Sequence, residues 1–212
     1  MATSDSYPRR NSRVMPAIAA WLLRAIGWRI EGSLPPLPKF VLIVAPHTSN
    51  WDFWIGLLAM FILDLRASWL GKHTLFFFPA GPILRWLGGE PIDRSAHHGT
   101  VEAAIERFHT RPAWVIAIAP EGTRKLVPRW KTGFHRIALG AGVPIVPVWI
   151  DYPNRVLGIG APVPADSDEE LGVARVQRLF RREMARFPER YVGMPVEQGG
   201  SGAAGQNPHP EA

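Results

Sequence analysis

The stretch FVLIVAPHTSNWD, Phe40 to Asp52, decides how the fold is read. Phe40–Ala45 is a continuous apolar run rich in β-branched side chains. A run without alternation suits a strand buried on both faces, as in the interior of a parallel sheet covered by helices. Pro46 biases Ala45 towards an extended backbone, so the strand is expected to continue into His47. Thr48, Ser49 and Asn50 are all good helix N-caps, and the apolar stretch Phe53–Leu65 reads as a buried or membrane-facing helix. Asp52 then falls in the first helical turn, where the macrodipole stabilises a carboxylate.

Working outward, Thr74–Phe78, Ala113–Ala119 and Val143–Ile150 read as further buried strands. Gly99–Thr110 and His135–Gly142 read as helices, and Ser167 with Glu170 forms a capping box that opens a long Arg-rich helix. Strands alternating with helices predict an α/β fold, a single domain with a central, mostly buried β-sheet flanked by helices. Residues 1–13 are polar and expected to be loose. Residues 14–31 form an amphipathic helix carrying Trp21, Arg24 and Trp28, suited either to a membrane interface or to packing on the domain's own core. The domain proper is expected over 32–192, with a disordered Gly-, Pro- and Ala-rich tail over 193–212. Arg24 interrupts the N-terminal apolar stretch, which falls short of a membrane span and lacks a cleavage site.

The chain of 212 residues is 47% hydrophobic and 20% charged, which supports a packed core and argues against global disorder. A net charge of +6 favours anionic partners, and nine Trp with ten Phe suit surfaces that are part apolar and part wet. The absence of cysteine excludes disulfides, thiolate metal sites and a Cys nucleophile. No metal-ligand spacing stands out.

His47 and Asp52 are five positions apart. Within one helix that spacing would turn them apart by about 140°. With His47 in the loop and Asp52 just inside the helix, the chain folds back. The carboxylate then accepts from one ring nitrogen and leaves the other free to take a proton. Three more stretches matter, two for their chemistry and the last, with Pro144 and Pro147, as a strand shaped beside the site. APEGTRK, Ala119–Lys125, combines a glycine turn with Arg124, whose planar fork suits phosphate. GGEPIDRS, Gly88–Ser95, presents Arg94, and GAGVPIVPVWI, Gly140–Ile150, sets two prolines in an apolar run.

Taken in order, H-x-x-x-x-D (His47–Asp52), the Pro91–Arg94 block, P-E-G-T-R (Pro120–Arg124) and V-P-I-V-P-V (Val143–Val148) resemble the four blocks of the lysophosphatidate acyltransferase family. The resemblance covers about residues 40–150. Ala119 and Lys125 depart from it, where the family usually has an aromatic and a Ser. It implies a glycerolipid acyltransferase-like fold, with His47 as general base oriented by Asp52, and Arg94, Glu121, Gly122, Thr123 and Arg124 as the acceptor-phosphate site. Within that site Glu121 is expected to hold Arg124. It implies no cofactor and no metal, acyl-CoA or acyl carrier protein as co-substrate, a lysophospholipid acceptor, and an anionic membrane surface as partner. The expected place is the cytoplasmic face of the cell membrane, peripheral or monotopic. Alternatives are the same chemistry on another lyso-lipid or an acylated amino-acid lipid, and a basic nucleic-acid-binding protein using Arg178, Arg181, Arg182 and Arg186 on the last helix.

Overall fold

The computed structural model describes residues 6–92 and 99–192. Arg94 and the 193–212 tail lie outside the described residues. In chain order the elements are α1 (Met15–Ala25), β1 (Arg29–Glu31), β2 (Lys39–Ala45), α2 (Trp51–Ile62), β3 (Ser68–Lys72), α3 (Ala80–Trp86) and β4 (Gly89–Ile92). They continue with α4 (Thr100–Thr110), β5 (Trp114–Ile118), α5 (Gly133–Ala141), β6 (Ile145–Asp151), β7 (Val156–Ile159) and α6 (Glu169–Gln177).

The strands form one seven-stranded sheet in the order β1-β7-β6-β2-β5-β3-β4. Every pairing is parallel except β6 with β7. The Phe40–Ala45 run is its middle strand, hydrogen-bonded to β5 on one side and β6 on the other. Its side chains divide between two cores. Val41, Ile43 and Ala45 pack with α4, α5 and α6 through Phe108, Phe134, Ile137 and Val176. Phe40 and Leu42 pack with α1 and α2 through Leu23, Ile55 and Ala59. Phe40, Val41 and Ile43 are wholly buried, each contributing roughly 1.5–3 kcal/mol. That two-sided demand is why the run carries no polar alternation.

Several elements differ from expectation. The strand expected over Thr74–Phe78 lies earlier, at Ser68–Lys72, and His73–Leu75 is a single 3-10 turn. Only Phe76 of the three phenylalanines folds back, its ring against Gly71, where a Cβ would approach it to 2.9 Å. Phe77 and Phe78 are 63% and 87% exposed, so the FFF run reflects surface rather than sheet. The N-terminal helix stops at Ala25, because Gly27 takes a left-handed φ of 77° and Arg29–Glu31 then joins the sheet edge beside β7. The described segment before α1 makes contacts with the domain, Arg9 bridging to Leu65. Arg10 donates to the Leu65, Trp86 and Leu87 carbonyls, tying it to the ends of α2 and α3. The last helix is capped by Asp168, which accepts from Leu171 N, and it ends at Gln177, so Phe180, Met184 and Ala185 can turn into the core. Arg181, Arg182 and Arg186 therefore lie off that helix.

Candidate active site

The carboxyl ends of β6, β2 and β5 lie side by side, and the chain leaves each by a loop carrying polar side chains. In open α/β sheets this edge is where ligands bind. After β2 comes a cis Ala45–Pro46 bond, then His47 in the loop and Asp52 as the second residue of α2. Asp52 is almost fully buried at the positive end of α2. Its Oδ2 accepts from Thr48 N at 2.8 Å and Ser49 N at 2.7 Å, so the carboxylate holds the loop that precedes it. His47 Nδ1 lies 3.3 Å from the same oxygen, and its ring is 22% exposed. Ser49 Oγ accepts from Trp51 N, and Thr48 Oγ1 accepts from Phe187 N of the C-terminal segment.

The loop after β5 approaches from the other side. Glu121 is 3% exposed, and its Oε1 accepts from the backbone N of His47 at 2.9 Å. Burial, with Asp52 adding to it, raises the Glu121 carboxyl to about 7, against the pull of the His47 N–H. Among the described residues its Oε2 has no hydrogen-bond partner. Glu121 thus braces the backbone of His47 and does not hold Arg124: the pairing expected from sequence is absent, because the carboxylate turns inward while Arg124 faces solvent. Among the described residues Arg124 has no ion-pair partner. Gly122 has φ +66°, and a Cβ there would collide with the Lys131 side chain at 2.9 Å, so glycine lets that amine stem lie close to the turn. Thr123 Oγ1 accepts from Lys125 N. The site residues therefore fall into three groups. His47, Asp52 and Glu121 are brought together, Gly122, Thr123 and Arg124 form the adjoining turn, and Arg94 lies outside the described residues.

Two features were missed from sequence. One is Tyr152, just past β6, whose hydroxyl donates to Asp52 Oδ1 at 2.5 Å. Nothing in the pattern of β6 marks it. The other is a cavity of about 180 Å³ between α2 and the sheet. His47 and Asp52 are the ionisable groups in its lining, and the remainder is apolar, including Leu42, Leu57, Met60, Val148 and Leu157. Outside it, Trp21 on α1, Trp54 on α2 and Trp86 on α3 are 69%, 55% and 63% exposed. Among the described residues no helix is long and apolar enough to cross a membrane, and no three His, Cys, Asp or Glu side chains gather as a metal site.

Fold and site together define an α/β protein that sets a histidine–carboxylate pair over an apolar cavity. A family model described as Acyltransferase matches residues 32–151. The 1-acyl-sn-glycerol-3-phosphate acyltransferase of Escherichia coli is 33% identical over 128 residues, 56% of this chain and 49% of that protein. The protein of the same name from Haemophilus influenzae is 28% identical over 165 residues, 70% of this chain and 66% of that one. The chain thus spans about half the length of the first of these relatives. The crystal structure of the 1-acyl-sn-glycerophosphate (LPA) acyltransferase, PlsC, from Thermotoga maritima superposes with a TM-score of 0.56 over 78% of each chain, at 20% identity, a likeness of fold. The chain belongs to the acyltransferase family.

Proposed function

We propose that this protein is an O-acyltransferase that moves a fatty acyl group from an acyl thioester, carried by coenzyme A or acyl carrier protein, to the hydroxyl of lysophosphatidate or a related lysophospholipid, giving phosphatidate. The observation that carries this reading is the His47–Asp52 pair at an otherwise apolar cavity. Asp52 holds Nδ1, so Nε2 of His47 is free to remove the acceptor's hydroxyl proton as the oxygen attacks the thioester carbonyl. The tetrahedral adduct then breaks its C–S bond, and the proton on His47 passes to the departing thiolate. The thioester is already activated, so no protein nucleophile is needed. The cavity takes an acyl chain, whose burial stabilises by about 0.8 kcal/mol per methylene.

The acceptor phosphate meets the turn after β5, with Arg124 exposed there and Arg94 assigned to the same role through the family blocks. Glu121 serves this site indirectly, by bracing His47. The exposed Trp21, Trp54 and Trp86, beside a net charge of +6, fit an anionic bilayer surface at its cytoplasmic face. The test is thiol release from acyl-CoA by the purified chain, with and without lysophosphatidate in mixed micelles. Acceptor-dependent release that falls about 10³-fold in His47→Ala supports the reading, and undiminished release in a folded His47→Ala protein rejects it.

A further inference from the structure

We infer that Tyr152 is a positioning residue of the site: its hydroxyl fixes the plane of the Asp52 carboxylate so that Oδ2, and not Oδ1, faces His47. This rests on the acyltransferase reading for its kinetic consequence, but not for its geometry. Asp52 receives donors unequally. Thr48 N and Ser49 N both donate to Oδ2, and His47 Nδ1 lies 3.3 Å from that same oxygen. Oδ1 is served by the Tyr152 hydroxyl at 2.5 Å, from a residue one hundred positions away in the chain. A carboxylate is planar and turns about one bond, so a fixed donor on one oxygen sets where the other points. Without it, only the two loop amides hold the carboxylate, and it gains freedom to turn and share its oxygens between them and the imidazole.

Tyr152 is itself well placed to act as such an anchor. It follows the last residue of β6, next to β2 in the sheet, and its N–H donates to the Met184 carbonyl. Its ring meets Trp28 edge-on at 5.0 Å between centroids, and the Arg186 guanidinium sits 5.8 Å over its face. Two separate segments thus hold the ring, and one of them also holds its backbone. Burial, and then Asp52 itself, raise the phenol's ionisation well above its ordinary value, so the hydroxyl stays a donor. The ionisable groups around Asp52 are His47 from its own loop, Tyr152 from the end of β6 and Glu121 from the loop after β5, with Arg186 beyond the phenol. Tyr152 is the one among them that reaches Oδ1. It also lies one residue beyond the stretch matched by the family model, so the family blocks do not point to it.

The test is Tyr152→Phe, which keeps the ring and removes the donor. In wild type, ¹⁵N spectra of the His47 ring are expected to show one neutral tautomer, with Nδ1 protonated. In Tyr152→Phe a mixture of tautomers is expected. With acyl-CoA and lysophosphatidate, kcat is expected to fall about tenfold while both KM values stay within about twofold. In an Asp52→Asn background the same change is expected to add no further loss. A His47 ring spectrum unchanged in the Phe variant overturns the inference, whatever the activity. So does a kcat loss of equal size in the Asp52→Asn background, which would give Tyr152 a role of its own. If wild type releases no thiol with any acceptor, the acyltransferase reading fails, while the ring spectrum still decides this point. Tyr152→Leu, which also lacks the donor, takes the same tests should the Phe variant not fold.

Discussion

Gly56 offers a direct way to ask whether the cavity measures an acyl chain. It lies on α2 four residues after Asp52, on the same helical face, and it lines the cavity. A Cβ added there would meet nothing within 4 Å. At 1.5 Å rise per residue, a side chain at Gly56 stands about 6 Å along the helix from Asp52. Gly56→Leu should therefore obstruct the cavity a short way below the reacting carbon without forcing any backbone contact. Exchanging glycine within a helix is favourable by roughly 0.5–1 kcal/mol when a better helix former replaces it, so the variant should melt no lower than wild type. Each methylene denied burial costs about 0.8 kcal/mol, close to fourfold in affinity. A donor that loses four methylenes of contact should drop by more than about 100-fold in kcat/KM. Short donors should be unaffected, and Gly56→Ala should be nearly silent. The assay is thiol release across a graded series of saturated acyl-CoA donors at fixed acceptor. Parallel chain-length profiles for wild type and Gly56→Leu would refute the reasoning.

Arg124→Ala should raise the KM for lysophosphatidate about tenfold or more, as expected for one charge-assisted contact, with the KM for acyl-CoA unchanged; initial rates at varied acceptor check this, and an unchanged acceptor KM counts against the phosphate site. Because the Glu121 carboxyl is raised to about 7 in the fold, the folded state holds its proton over a range where the unfolded chain has lost it. Stability from this group is thus full below pH ~4.5 and falls as pH rises to ~7, by about 3 kcal/mol in all. Urea unfolding of wild type and Glu121→Gln at both ends of that window should show the difference, and identical pH dependence would refute it. Replacing Trp21 and Trp54 with Ser should lower binding to anionic vesicles about tenfold or more, since each aromatic loses a burial of roughly 1.5–3 kcal/mol; co-sedimentation equal to wild type would leave those side chains out of membrane contact.

The sequence announces the sheet most clearly where burial is two-sided. β2, β5 and β6 are continuous apolar runs because helices cover both faces, and each lies close to where it is expected. β1, β4 and β7 have three or four residues each and lie towards the sheet margins. Segments that short carry no usable period, and β3 mixes Ser, Gly and Lys with its apolar residues. The FFF run misleads because exposure, not strand packing, accounts for Phe77 and Phe78. At the site, His47 and Asp52 are readable because both belong to one loop-to-helix junction. Tyr152 is not, since its partner lies one hundred positions away, in the helix that follows another strand. The bracing role of Glu121 leaves no mark either, because a hydrogen bond to a backbone N–H asks nothing of the residue that supplies it.

Chain order accounts for the place of the site. From β2 the chain runs out to β3 and β4 on one side, returns to β5, then passes over β2 to β6 on the other. The middle strand therefore ends between the loops of two neighbours that reach it from opposite directions. The β5 loop supplies Glu121 to the His47 backbone, and the end of β6 supplies Tyr152 to Asp52. A histidine on a loop would ordinarily be mobile, but this one is held at its main chain by one neighbour and through its carboxylate by the other. The crossover that puts β2 in the middle thus also lets both neighbours hydrogen-bond to the junction that carries His47 and Asp52. That is why the same stretch of sequence decides both the fold and the site.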